Sequence, residues 1–178
     1  MGAGKTSVGR ALGRRLNWLF EDLDERIERR ERRSVAEIFR DSGEIAFRRA
    51  EHNALRELLE ELRSGSLRII ALGGGAFVQE ENAALLLAAG LPTVFLDASV
   101  DELWQRCLTQ GQKEQIERPL LGKRERFREL YETRRKNYAH ATLTIQTSNR
   151  DVEAIAAEIA ERLGLKEMAT RTEPGEVE

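Results

Sequence analysis

A chain of 178 residues is long enough for one well-buried domain and too short for two ordinary ones. Charged residues make up 34% of it, yet the formal net charge is only -2, a balance that argues against a general nucleic-acid surface. One cysteine, Cys107, excludes an internal disulfide, no run approaches the ~20 apolar residues that span a bilayer, and nothing suggests a secretory signal, so we expect a soluble, cytoplasmic protein; a monomer is a separate expectation.

The chain opens on Gly2-Ala3-Gly4-Lys5-Thr6-Ser7, which runs into a helical pattern from Thr6 to Leu16. Trp18 to Asp24 reads as a strand, with Trp18, Phe20, Asp22 and Asp24 on one side. Ser34-Val-Ala-Glu37 is a capping-box signature opening a short helix that Gly43 ends, and a longer helix follows from about Glu44 to Leu62. Leu67 to Leu72 is a buried-strand run stopped by Gly73-Gly74-Gly75. A helix around Glu80 to Ala89 closes at Gly90, and Thr93 to Leu96 forms the next strand. Ser99-Val-Asp-Glu102 is a second capping box, opening the helix that carries Trp104 and Leu108. Thr109 to Glu117 is polar and reads as a mobile loop. A helix from roughly Lys123 to Tyr138, a strand Leu143 to Gln146 and a helix Val152 to Leu163 complete the order. The segment 164–178 reads as a disordered tail. Strands alternating with helices imply an α/β fold with a parallel sheet covered on both faces and ligands at the carboxyl ends of its strands.

The start matches the latter part of the P-loop pattern, in which backbone N–H groups and a helix N-terminus surround phosphates, a lysine reaches the outer ones and a hydroxyl holds magnesium. The leading glycine and preceding strand of that pattern would lie upstream of Met1. Without them the sheet would lack its central member, leaving two neighbours with unpaired backbone groups around an open apolar slot. The alternative is a glycine-rich start with a helix-capping Thr6.

On the strand reading, Asp22 and Asp24 lie ~6.5 Å apart along one side. Two carboxylates beside a triphosphate need a cation between them. Asp22 therefore suits magnesium with Thr6, held directly or through water, and Asp24 suits the acceptor hydroxyl as proton acceptor. Alternatively Asp24 merely caps the next helix. Asp97, directly after an apolar run, mimics a Walker B aspartate and is read as a decoy.

Arg48 shares a stripe with Leu55 and Leu59, and Arg134 falls in line with Phe127, Tyr131 and Tyr138. An inward guanidinium needs an anion: a substrate carboxylate gripped by two parallel hydrogen bonds, or an internal acid such as Glu51 for Arg48. Three glycines after a buried strand let the backbone approach a ligand closely. Arg118, before Pro119, is placed to stabilise charge on a moving phosphoryl group or is a solvated loop charge. His52 and His140 are too isolated to suggest a metal site, Cys107, Trp18 and Trp104 read as packing residues, and Glu60 and Glu61 as a solvated face.

Asp22-Leu-Asp24, Phe47-Arg48-Arg49-Ala-Glu51, Gly73-Gly74-Gly75 and Arg118-Pro-Leu-Leu121, in this order behind the phosphate loop, resemble the shikimate kinase family from Met1 to about Leu163. The resemblance implies a P-loop three-layer sandwich over residues 1–163, with about four parallel strands (five with one upstream) and a lid near 109–119. It also implies phosphorylation of the 3-hydroxyl of shikimate, with ATP as co-substrate and Mg²⁺ as cofactor. It makes Asp24, Arg118 and Lys5 catalytic, and gives ATP to Gly2, Ala3, Gly4, Lys5, Thr6, Ser7, Arg106 and Arg118, with Arg106 at the adenine. Shikimate falls to Asp24, Arg48, Gly73, Gly74, Gly75 and Arg134, and metal to Thr6 and Asp22. The family often has a proline between the second arginine and the tyrosine, where Arg135-Lys136-Asn137 stand here. Neither a nucleic acid nor a membrane is expected as partner. The alternatives are a related small-molecule kinase, such as a gluconate kinase, and an inactive nucleotide-binding remnant.

Overall fold

The computed structural model describes residues 2–114 and 124–168, leaving out the side chains of 110–114. In chain order it has α1 (Lys5–Leu16), β1 (Leu19–Asp22), α2 (Leu23–Glu31), α3 (Val35–Arg63), β2 (Arg68–Ala71), a 3₁₀ turn (Ala76–Val78) and α4 (Glu80–Ala89). Then come β3 (Val94–Asp97), α5 (Val100–Glu114), α6 (Arg124–Tyr138), β4 (Leu143–Gln146) and α7 (Val152–Arg162).

The strands are parallel but form two separate pairs, β1 with β2 and β3 with β4, in place of the single four-stranded sheet expected. No strand hydrogen bond joins β2 to β3 among the described residues. Between them lies an apolar cavity of about 470 Å³, lined by both strands together with Val8 and Leu12 of α1. Strand alternation sends neighbouring side chains into different layers. Ile69 packs with α1, α7 and β4, whereas Ile70 and Leu72 pack with α2, α3 and α4. Helices therefore cover both faces, as a three-layer α/β fold requires.

Local chemistry sets the element ends. Ser34 and Glu37 form the reciprocal capping box that opens α3. Gly43 breaks α3 with φ 79° and ψ 175°, a conformation open essentially to glycine alone. Gly90 ends α4 in the left-handed region. Asp151 caps α7 by accepting from the N–H groups of Glu153 and Ala154.

Four expectations change. The strand read as Trp18–Asp24 stops at Asp22, because Asp22 caps α2 and Asp24 already lies in its first turn. The polar stretch from Thr109 is helical as far as Glu114, so the lid reading of 109–119 loses its first six residues to α5, and 115–119 lie outside the described residues. After Gly164 the chain stays on the body: Leu165 packs on the core and the Met168 N–H donates to the Leu16 carbonyl at 2.9 Å. Residues 169–178 of the expected tail lie outside the described residues. Glu61, read as part of a solvated face, is partly exposed yet paired: it accepts from Arg26 and lies 3.1 Å from Arg68, tying α3 to α2 and β2.

Candidate active site

The phosphate-type loop is shaped by backbone geometry. Gly2 and Gly4 have φ of 65° and 81°, and a Cβ on Gly2 would lie 2.8 Å from the Leu103 carbonyl oxygen and 2.9 Å from Cys107 Sγ. The loop is thus pressed against α5, which only glycine permits at that position. Gly4 caps α1, and no acid of the helix's own first turn opposes the binding of an anion at its N–H groups and positive dipole end. Lys5 and Thr6 begin the helix, Ala3 packs inward and Ser7 is exposed. Arg106 lies beside Gly2, pairs with Glu102 at 2.5 Å and donates to the Thr147 carbonyl at 3.2 Å.

Asp22 joins this loop to the acids. Its Oδ2 accepts from the Thr6 hydroxyl at 3.0 Å, and its Oδ1 accepts from the Asp24 N–H at 3.0 Å. The capping role considered for Asp24 therefore belongs to Asp22. A hydroxyl and a carboxylate oxygen at this distance are hard donors of the kind Mg²⁺ takes while keeping water and phosphate oxygens as its other ligands. Among the described residues no cluster of three or more His, Cys, Asp or Glu could hold a metal.

Asp24 stands in a different environment. Its Oδ1 is buried without a hydrogen-bond partner. Burial pushes its carboxyl up to about 6, the nearby charges of Asp22 and Glu51 push the same way, and Lys5 opposes them.

The glycine loop after β2 gathers the remaining groups. A Cβ on Gly73 would lie 2.8 Å from Asp24 Oδ1 and 3.1 Å from Glu51 Oε1, and a Cβ on Gly75 would lie 2.5 Å from Arg48 Nη1. Acid and cation thus close on the loop backbone from α2 and α3. The Gly74 carbonyl accepts from the Tyr138 hydroxyl, which brings in α6.

Arg48 makes the internal pair weighed above: Nη1 donates to Glu51 at 2.9 Å, and Nε and Nη2 donate to Glu44 at 3.2 and 3.0 Å. These bonds use three of the five guanidinium donors and leave two, beside Gly75. Arg134 is half-buried, with its charge next to the Tyr138 hydroxyl, and no acid pairs with it among the described residues. Phe47 is buried and packs at a tilt against the exposed Phe39, with the Arg48 guanidinium over the Phe47 ring.

Glu51 is the residue that motif reading undervalued. It is 1% exposed, accepts from Arg48 and Gln79, and keeps Oε1 unpartnered. The available signal was an acid on the same stripe as Ala54, Leu55 and Leu58, where a charge must have a purpose. Asp97, read as a decoy for a metal ligand, accepts from Tyr131, Arg135 and Gln146. His52 bonds Asn82 at 2.9 Å between α3 and α4, and Trp104 packs edge-on against Phe127. Arg118 lies outside the described residues.

Comparison with known proteins identifies the family of the chain. The shikimate kinase family model matches residues 1–164. A curated shikimate kinase of Cereibacter sphaeroides is 41% identical over 169 residues, spanning 93% of this chain and 80% of the relative. One of Thermus thermophilus is 41% identical over 166 residues, spanning 92% and 85%. The solved structure of shikimate kinase from Acinetobacter baumannii in complex with shikimate superposes with a TM-score of 0.80 at 35% identity, covering 92% of this chain and 88% of that one.

Proposed function

Because the chain belongs to the shikimate kinase family, we propose that it transfers the terminal phosphoryl group of ATP to the 3-hydroxyl of shikimate, giving ADP and shikimate 3-phosphate. The observation that carries this reading is the closure of Asp24 and Arg48 on one glycine loop beside the phosphate-type loop. A small acceptor with both a hydroxyl and a carboxylate matches such a pocket.

In the reaction the acceptor oxygen forms a bond to the terminal phosphorus as the bond to the bridging oxygen of ADP breaks. The N–H groups from Gly2 to Ser7 and the Lys5 ammonium hold the phosphates. Thr6 and Asp22 would hold Mg²⁺, which when bound supplies positive charge against the phosphate oxygens. Asp24 orients the acceptor hydroxyl and takes its proton, for which an unpaired carboxylate oxygen in a buried site is suited. The two remaining donors of Arg48, with Arg134, grip the shikimate carboxylate, while Gly73, Gly74 and Gly75 let it approach the backbone. Arg106 borders the adenine end. Arg118 meets the charge that develops on the transferred group. We place the enzyme in the cytoplasm as a monomer; no helix among the described residues is long and apolar enough to cross a membrane.

Steady-state kinetics of arginine variants test these assignments. Arg48→Ala and Arg134→Ala should weaken shikimate binding by ~2 to 5 kcal/mol with ATP binding nearly unchanged. Arg118→Ala should lower turnover and spare shikimate affinity. An equal loss for both substrates in the first two variants, or a change confined to the shikimate KM in the third, contradicts the roles given.

A further inference from the structure

The helix that carries Arg134 is mostly polar and rests on a few aromatic side chains. Of the residues in α6 only Phe127 is fully buried. Its start is held by Phe127 against Trp104 and by Arg124 paired with Asp101, and the face that carries Arg134 makes polar contacts at two points, with the Tyr138 ring also packed on Phe95. Near its middle, Tyr131 donates to Asp97 Oδ1 and Arg135 donates to Asp97 Oδ2 at 3.0 Å; at its end, Tyr138 donates to the Gly74 carbonyl. Residues 131, 134, 135 and 138 recur at the spacing that aligns side chains along a helix. Arg134 thus sits between the two anchors. They reach different strand pairs, Asp97 ending β3 and Gly74 following β2, so α6 spans the carboxyl ends of both.

Asp97 itself is held firmly. It is 4% exposed, and its Oδ2 also accepts from Gln146 at 3.1 Å. Its backbone carbonyl accepts from the N–H and hydroxyl of Thr147 at 2.8 and 3.1 Å. Burial raises its carboxyl, but the side-chain hydrogen bonds from Tyr131, Arg135 and Gln146 outweigh that and hold it below the usual carboxylate range, so the charge facing Arg135 persists at neutral pH. A rigid buried anion at the end of a strand is a fixed point from which a polar helix can be set.

We infer that Asp97 is a positioning residue for acceptor recognition: through Tyr131 and Arg135 it sets α6 so that Arg134 faces the carboxylate of the acceptor. This rests on the carboxylate-binding role proposed for Arg134. A displacement of about 1 Å at a recognition group costs on the order of a hundredfold, and no acid among the described residues holds the Arg134 guanidinium by itself.

The test is a double-mutant cycle read as shikimate affinity, ATP affinity and turnover. Asp97→Asn keeps the shape of the side chain and removes its charge. The double variant Tyr131→Phe with Arg135→Ala removes the donors from the other side and leaves the β3 end intact. Each should raise the shikimate Kd ten- to a hundredfold and change the ATP Kd by less than about twofold. Each should also lose discrimination between shikimate and its analogue with the carboxylate reduced to an alcohol, which general damage to the fold would not single out. In an Arg134→Ala background the same changes should add almost nothing, whereas in an Arg48→Ala background they should add in full. Full additivity with Arg134→Ala, or equal losses for ATP and shikimate, overturns the inference while leaving the role of Arg134 standing. If Arg134→Ala alone leaves shikimate affinity unchanged, the functional reading of Arg134 fails first. Should Asp97→Asn not fold, the donor-side double variant decides the question by itself.

Discussion

Asp24 illustrates how a single side chain can be poor for stability and suited to chemistry. Its carboxyl is pushed up to about 6 by burial and by the charges of Asp22 and Glu51. The folded protein therefore holds this proton more tightly than the unfolded chain does. The contribution of Asp24 to stability falls as pH rises from about 4 to about 6, and the cost persists above that window. Asp24→Asn should accordingly raise stability at pH 7 by on the order of 2 kcal/mol while removing most phosphoryl transfer. In the parent protein kcat/KM for shikimate should rise through pH 6 to a plateau, because only the ionised carboxylate accepts a proton. Thermal melts and a pH profile check both signs. Near-normal turnover in the variant would remove Asp24 from the mechanism.

At the scale of elements, much was legible and the failures have physical causes. Glu80–Ala89 and Leu143–Gln146 were readable because a glycine stop and a clean apolar alternation marked their limits. The capping box at Ser34 and the break at Gly43 were readable for similar reasons. Helix α2 was not, since Leu23 and Ile27 are its only buried residues and the rest of its surface is charge. Missing it carried Asp24 onto the strand, although the pairing of Asp22 with Thr6 was still reached because Asp22 does end β1. Helix α5 outran its reading because a polar stretch holding Gly111 lacks the apolar period that marks a helix. Of the candidate site, the glycine loop and an inward Arg48 were legible from residue type, with Arg48 making the internal pair with Glu51 that was weighed as its alternative, whereas the closure of Glu51 and Tyr138 on that loop depends on packing between distant elements. Gly43 offers an element-level test. A Cβ there would meet no atom within 4 Å, so any loss on replacement comes from the backbone alone. Gly43→Ala should destabilise the protein by about 1 to 3 kcal/mol in denaturant titration; an unchanged midpoint would show that the break in α3 relaxes freely.

The whole molecule is organised around the gap between its two strand pairs. β2 and β3 each turn one edge to an apolar cavity, and backbone N–H and C=O groups at such edges are costly without partners. An apolar extension of about ten residues ahead of Met1, ending in glycine, would pair with both edges and lead directly into the phosphate-type loop. Such an extended protein should melt at a higher temperature and bind ATP more tightly than the 178-residue chain. Equal melting temperature and equal ATP affinity would show that the cavity neither weakens the fold nor loosens the loop.

The proposed transfer is read most directly by a coupled assay of ADP release. With ATP and magnesium supplied, ADP should appear in proportion to added shikimate, with shikimate 3-phosphate as the product, and gluconate should give no more than background. ADP release driven equally by gluconate, or no release with shikimate from a folded protein that binds ATP, would contradict the assignment.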